Sequence, residues 1–266
     1  MLEVFQYGFM QRALVAGIMI AIVCSVIGTF IVLKRLSMIG DGLSHIALGG
    51  VALGMLLNVY PVFTALVFSV LSAVGINTLR RAKIYGDVAI AIFFSAGLAV
   101  AVVLLSLAKG FNTDLFTYLF GSILTVNETD LMVMLVLGIF TTGAVIMFYK
   151  ELFYITFDEA SAKASGLPVE KLNTLLVVLT AITVVVSLKI VGILLVSSLL
   201  VVPVATSLQV SRNFRETIFG SMVFAIFSVI AGLTVSFYFN LAAGGAIVLT
   251  SVIVFSIVMI YKSYRR

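Results

Sequence analysis

Nine long stretches almost free of charge divide this sequence, at 13–33, 38–58, 60–79, 87–108, 130–149, 172–188, 190–209, 217–239 and 242–261. Runs of about 20 apolar residues match the thickness of a bilayer core when helical and are about twice too long for barrel strands. In hydrocarbon each backbone N–H and C=O must find its partner within the segment, so the runs predict helices. The expected fold is all-α: a polytopic transmembrane helix bundle of about 8–9 spans. Composition leaves no other class open. Of 266 residues, 62% are hydrophobic and 10% charged, and the mean hydropathy is +1.28, far from a soluble domain with about a quarter of its residues charged. Disorder, which needs low hydrophobicity and high charge, is excluded as well.

Nine spans of about 20 residues leave connections averaging about ten, too short for a second folded unit of at least about 50 residues. A single transmembrane domain over 1–266 is expected, and any energy-converting or ligand-capturing domain belongs on another chain. A cleaved signal peptide is not expected, because the first apolar run is long and leads directly into Lys34 and Arg35. The single cysteine, Cys24, lies in an apolar run and reads as a small core hydrophobe.

The basic residues divide unevenly between alternate connections. Lys34, Arg35, Arg80, Arg81, Lys83, Lys150, Lys163, Lys171, Arg212, Arg215, Lys262, Arg265 and Arg266 fall on one side, and only Arg12, Lys109 and Lys189 on the other. The positive-inside rule then places the N-terminus outside and the C-terminus in the cytoplasm. The net charge of +5 is a topological signature and gives no reason to expect nucleic acid as a partner; lipid is the expected surroundings. Residues 111–126, FNTDLFTYLFGSILTV, are apolar but short and carry Asp114. A full crossing there would invert every later basic cluster, so a re-entrant or interfacial helix is expected, either as an aromatic belt or as a lining of the path. Glycines four apart, such as Gly50 and Gly54, suit close helix approach in lipid.

Polar chemistry enters the membrane in one segment, LKRLSMIGDGLSHIALGG at 33–50. Counted from Arg35, Asp41 lies about 9 Å and His45 about 15 Å along a helix, on one face because they are four apart. His45 is the only histidine, and Asp41 is the one acid placed well inside a span. Burying an aspartate there costs at least about 2.5–3.5 kcal/mol, which a partner, a proton or a cation must offset. Carboxylate oxygen with imidazole nitrogen suits a divalent transition metal such as zinc or manganese. Two ligands hold such an ion poorly, but a twofold dimer with this helix at its axis would bring four together. A structural Asp–His hydrogen bond explains the pair equally well at this point. Gly40, Gly42, Gly49, Gly50, Met38 and Ser44 lie around it, as packing residues or as supports for the site.

The longest hydrophilic stretch is FDEASAKASGLPVEKLN at 157–173. Asp158 and Glu159 suit a helix N-terminus, Gly166 a left-handed stop, and Pro168 bars continuation. The product is a short charged helix between two spans, either a solvated loop or an element that seats in a cleft of a cytoplasmic motor.

The segments V-L-K-R-L-S, G-D-G-L-S-H-I-A-L-G-G-V-A-L-G, D-L-F-T-Y-L-F-G-S-I-L near 114–124, D-E-A-S-A-K-A-S-G-L-P at 158–168 and V-G-I-L-L-V-S-S-L-L-V-V-P-V-A-T-S at 191–207 occur in that order. In them the chain, from about residue 5 to 260, resembles the zinc/manganese permeases of bacterial ATP-binding-cassette importers. The resemblance implies a multi-pass permease of the bacterial plasma membrane, working as a homodimer with two ATP-binding subunits and an extracytoplasmic metal-binding protein. Asp41 and His45 match the family's metal path. Residues 157–168 match its coupling helix, with Asp158, Glu159, Ala160 and Gly166 toward the ATPase. Such a chain is no enzyme and has no cofactor of its own: Zn2+ or Mn2+ is its cargo, and ATP is held by the partner. A P-loop pattern is absent from the sequence, as a separate ATPase requires. The run Ile46-Ala47-Leu48-Gly49-Gly50 lacks the proline that many manganese-type relatives carry there, which points to zinc over manganese. Two rivals are a stand-alone transporter exchanging protons at His45 and a permease for a bulkier cargo such as an iron chelate. An intramembrane metalloenzyme is poorly served by one histidine and no H-E-x-x-H.

Overall fold

A computed structural model describes residues 7–107, 113–122 and 126–264. The readings that rest on Lys109, Arg265, Arg266 and residues 111–112 and 123–125 lie outside the described residues, as do the side chains of 113–115, Asp114 among them. In chain order the helices are α1 (Gly8–Leu33), α2 (Ile39–Leu57), α3 (Pro61–Arg81), α4 (Gly86–Leu107), α5 (Thr113–Phe120), α6 (Glu128–Met147), α7 (Tyr149–Phe157), α8 (Glu159–Ala164), α9 (Val169–Val191), α10 (Val196–Val210), α11 (Phe214–Phe239) and α12 (Ala243–Tyr264). The all-α expectation holds. Among the described residues eight helices, α1–α4, α6, α9, α11 and α12, are long and apolar enough to cross a membrane.

The stretch 190–209 is not one unbroken helix, although it still carries the chain from the Lys189 end back to the basic end, where Gln209 meets Lys262. Helix α9 continues to Val191, the chain breaks over 192–195, and α10 then runs for 15 residues, about 22 Å against a core of about 30 Å. Gly192 causes the break: its φ of 86° and ψ of 154° suit only glycine. The backbone groups freed there are met by α5. Ile193 and Leu194 donate to the carbonyls of Tyr118 and Leu119, and Ser122 N–H donates to Lys189 O. Irregular backbone inside an apolar bundle survives only with such partners. At eight residues α5 is too short to cross.

Helices α1, α2 and α9 are buried along most of their length, whereas α4, α6 and α12 turn apolar faces outward. Helix α2 lies between α3 and α4, and its glycines permit this. A Cβ at Gly50 would stand 2.5 Å from Ala65 Cα and 2.8 Å from Thr64 O of α3, so the small-residue spacing is a packing device, as expected in lipid. Cys24 is fully buried in α1, with its Sγ 3.5 Å from Ser187 Oγ.

The basic connections gather at one end of the bundle, tied there by Lys34 to Glu159, Arg81 to Glu170, and Lys262 to Gln209. Phe30, Tyr149, Phe153, Phe157 and Phe214 pack edge-on and stacked beside them. The opposite end is closed by a cluster absent from the sequence reading. Asp130, at the start of the apolar run 130–149, is 1% exposed. Lys189, which reads as a loop charge, is inside the last turn of α9. The Asp130 carboxylate accepts hydrogen bonds from Lys189 Nζ and Tyr60 Oη, each at 2.5 Å. It also accepts from Asn127 N–H at 3.1 Å, completing a capping box on α6. The Lys189 ammonium stands 5.9 Å from the Tyr118 ring centre. One carboxylate thus ties the start of α3, the start of α6 and the end of α9.

Removing one partner of a buried ion pair costs about 3–5 kcal/mol, because the other charge is left uncompensated. Asp130→Asn is therefore expected to lower the thermal stability of the purified protein strongly, and Lys189→Met in the same chain to restore most of the loss. A double variant as unstable as the single one would contradict this.

Candidate functional site

Leu36 N–H closes back on Ile31 O, and Ile39 N–H on Leu36 O, so the chain turns through 34–38 before α2 begins at Ile39. Asp41 therefore sits in the first helical turn and His45 in the second, about 3 Å and 9 Å along α2. Both are nearer the basic end than a count from Arg35 gives. A helix N-terminus favours a carboxylate, which lowers the cost of holding Asp41 there.

The expected pair shares one face of α2, each member half-buried. Asp41 is not bonded to its own neighbour His45. Its Oδ1 accepts from Ser197 Oγ of α10 at 2.5 Å, a residue that sequence reasoning left inside a hydrophobic motif. The His45 ring packs edge-on against Phe94 of α4, with ring centres 4.3 Å apart, and its buried Nδ1 has no hydrogen-bond partner. Ser44 turns away and bonds Gly40 O within the helix, while Met38 is largely exposed, so neither supports the pair.

The contrast with Asp130 defines the site. Asp130 is neutralised by a lysine, whereas among the described residues no Lys or Arg pairs with Asp41, only a neutral hydroxyl. Asp41 thus shares its helix face with an imidazole nitrogen that lacks a partner, and its own bond is to a neutral hydroxyl. Among the described residues no group of three or more His, Cys, Asp or Glu side chains could hold a metal within one chain. A single copy offers two such ligands and a hydroxyl.

At the basic end, α8 forms as its capping signals predict. The Asp158 carboxylate accepts from Ser161 N–H at 2.9 Å and from Ser161 Oγ at 2.5 Å, which holds it below the usual carboxylate range. Gly166 has φ 82°, and Pro168 caps the start of α9. Ala160 and Gly166 are exposed. Helix α7, between the sixth helix and this segment, was not evident in the sequence. Glu159 turns inward to Lys34, whose side chain is 4% exposed and whose Nζ reaches both Glu159 Oε1, at 2.5 Å, and Ile155 O, at 2.9 Å. Asn173 of α9 donates to the same oxygen. Burial pulls Lys34 below its ordinary range, outweighing the carboxylate beside it. For Glu159, burial acts upward, but the Lys34 hydrogen bond and charge, with Asn173 and Arg80, hold it below 4.5. The short helix α8 is thereby fastened to the turn that leads into Asp41. Beside it Asn77, Arg80, Arg81, Lys163 and Lys171 line a cavity of about 720 Å³.

The model of the ABC 3 transport family matches residues 6–262. The chain belongs to the ABC 3 transport family. It is 37% identical over 257 residues to the manganese transport system membrane protein MntC of Listeria innocua, covering 96% of this chain and 91% of that one. It is 32% identical over 254 residues to the high-affinity zinc uptake system membrane protein ZnuB of Haemophilus influenzae, covering 95% and 97%. The solved structure of PsaBC from Streptococcus pneumoniae in complex with Fab superimposes with a TM-score of 0.87 at 36% identity, covering 97% of this chain and 93% of that one. With eight apolar helices of spanning length among the described residues, this family member is a multi-pass protein of the bacterial inner membrane.

The Lys34–Glu159 pair makes a pH prediction. A carboxyl held below its ordinary value adds stability above that value and loses it as pH falls through the folded-state pKa. Glu159→Gln is expected to cost about 1–2 kcal/mol at neutral pH, a modest figure because half of the carboxylate side chain faces solvent. The gap between variant and wild type in thermal melts should close as pH drops below 4.5. A gap independent of pH would contradict the pairing.

Proposed function

We propose that this chain is the membrane-spanning permease of an ATP-driven importer for a divalent transition metal, Zn2+ or Mn2+. Asp41 and His45 form the path, and two copies meeting on a twofold axis bring two carboxylates and two imidazoles to one ion. The observation that carries the reading is the unneutralised Asp41 beside the partnerless His45 nitrogen, at the start of a buried helix. Each copy offers too few ligands to trap an ion, and a conducting site must release what it takes. Carboxylate and imidazole replace part of the ion's hydration shell as it passes.

The basic end is cytoplasmic, following the charge bias, with the N-terminus outside and the C-terminus within. There α8, with Asp158, Glu159, Ala160 and Gly166, is the coupling helix and meets one of two ATP-binding subunits, which carry out the hydrolysis; this chain catalyses nothing. A metal-binding protein delivers the ion at the opposite end. Closure of the ATPase pair displaces α8, and the Lys34–Glu159 bridge passes the displacement to the turn before Asp41. The missing proline after His45 favours zinc, while the more similar of the two named relatives is a manganese system. Carboxylate and imidazole accept both ions.

Uptake of radiolabelled zinc and manganese by cells or proteoliposomes containing the whole complex tests this. Asp41→Ala and His45→Ala are each expected to abolish uptake of the cargo ion while the ATP-binding subunits still copurify. Undiminished uptake of both metals in both variants would remove the site assignment. Uptake that proceeds without any ATP-binding subunit would remove the importer reading.

A further inference from the structure

We infer that Ser197 is a positioning residue of the metal path: its hydroxyl orients the Asp41 carboxylate and thereby sets how tightly the site holds an ion. The inference rests on the reading of Asp41 and His45 as that path and assigns it a third residue, from another helix.

Three features of the fold converge on this side chain. Ser197 lies in the first turn of α10, directly after the break opened by Gly192. That break is fixed in place by backbone hydrogen bonds from Ile193 and Leu194 to α5. On the other side, Gly40 lets α2 approach α10 closely. A Cβ there would lie 3.2 Å from Ser197 Cβ and 3.1 Å from Leu200 Cδ1. A glycine beside the carboxylate and a small residue facing it thus set the separation of the two helices at this point. The 2.5 Å bond from Ser197 Oγ to Asp41 Oδ1 follows from that separation.

The chemistry suits positioning rather than neutralisation. A serine hydroxyl has one proton to give and carries no charge. It fixes one carboxylate oxygen and leaves the other open to a cation. A lysine in its place would make a second Asp130, closed to metal. Because the donor belongs to α10 and the acceptor to α2, any shift between these helices weakens the bond and loosens the site. A path that must first hold an ion and then release it needs such a dependence.

The test is equilibrium binding of Zn2+ and of Mn2+, each alone, to the purified permease–ATPase complex without the binding protein. Ser197→Ala is expected to weaken binding of the cargo ion about tenfold, the scale of one hydrogen bond to a charged group. Ser197→Thr, which keeps the hydroxyl, should bind like wild type, and Ser197→Val, of the same shape without it, like the alanine variant. This matched pair separates the hydroxyl from simple packing. Added to Asp41→Ala, Ser197→Ala should cause no further loss, since it acts through the carboxylate. If Asp41→Ala weakens binding and the alanine and valine variants at 197 do not, the positioning role is overturned and the metal path stands. If Ser197→Ala weakens binding equally with and without Asp41, or threonine fails as valine does, the role is likewise overturned. If Asp41→Ala itself leaves binding of both ions unchanged, the underlying reading fails.

Discussion

A carboxylate held within an apolar bundle, with no basic partner among the described residues, is the constraint around which this structure is arranged. Placing an aspartate in a span costs about 2.5–3.5 kcal/mol or more, and two features of the fold lower that cost. Asp41 occupies the first turn of α2, where the helix dipole favours it, and takes one hydrogen bond from Ser197. Gly40 lets α10 and Gly42 lets α4 close around the site, and α10 arrives there after the preceding helix breaks at Gly192. Filling that break requires the backbone of α5. Gly40, the break at Gly192 and the docked α5 together bring α10 to the Asp41 carboxylate.

The two ends of the bundle are built differently from its middle. Asp130 meets Lys189, Tyr60 and Asn127 in full at one end. At the other, Lys34 is buried against Glu159 and Ile155. Fully paired charges make rigid joints, since breaking either leaves a buried ion without a partner. Between them the proposed metal path has one neutral hydrogen bond and an imidazole nitrogen with none. Rigid ends around a loosely satisfied centre suit the proposed transfer of motion from α8 to Asp41.

Most of the spans were legible in the sequence, because runs of about 20 apolar residues permit one structure in lipid. The Asp41–His45 pair was legible for the same reason, as polar residues stand out against such a background. What escaped depends on contacts between distant segments. The stretch 190–209 has the length and hydropathy of a span, and only the left-handed glycine and its partners in α5 reveal the break. Asp130 and Lys189 lie 59 positions apart and read separately as boundary charges. Ser197 lies 156 positions from Asp41 in a run where serine resembles a packing residue. A glycine followed by a serine pair ahead of Pro203 was the available signal. Asp158 and Gly166, in contrast, act through their immediate neighbours, and their capping and stop signals were readable directly.

Anomalous scattering at the zinc and manganese edges from crystals of the metal-loaded complex tests the central claim most directly. The account predicts one peak on a twofold axis between two copies of this chain, within bonding distance of Asp41 oxygen and His45 nitrogen from both. A peak bound elsewhere, or these side chains facing lipid and away from the axis in the assembled dimer, would contradict it.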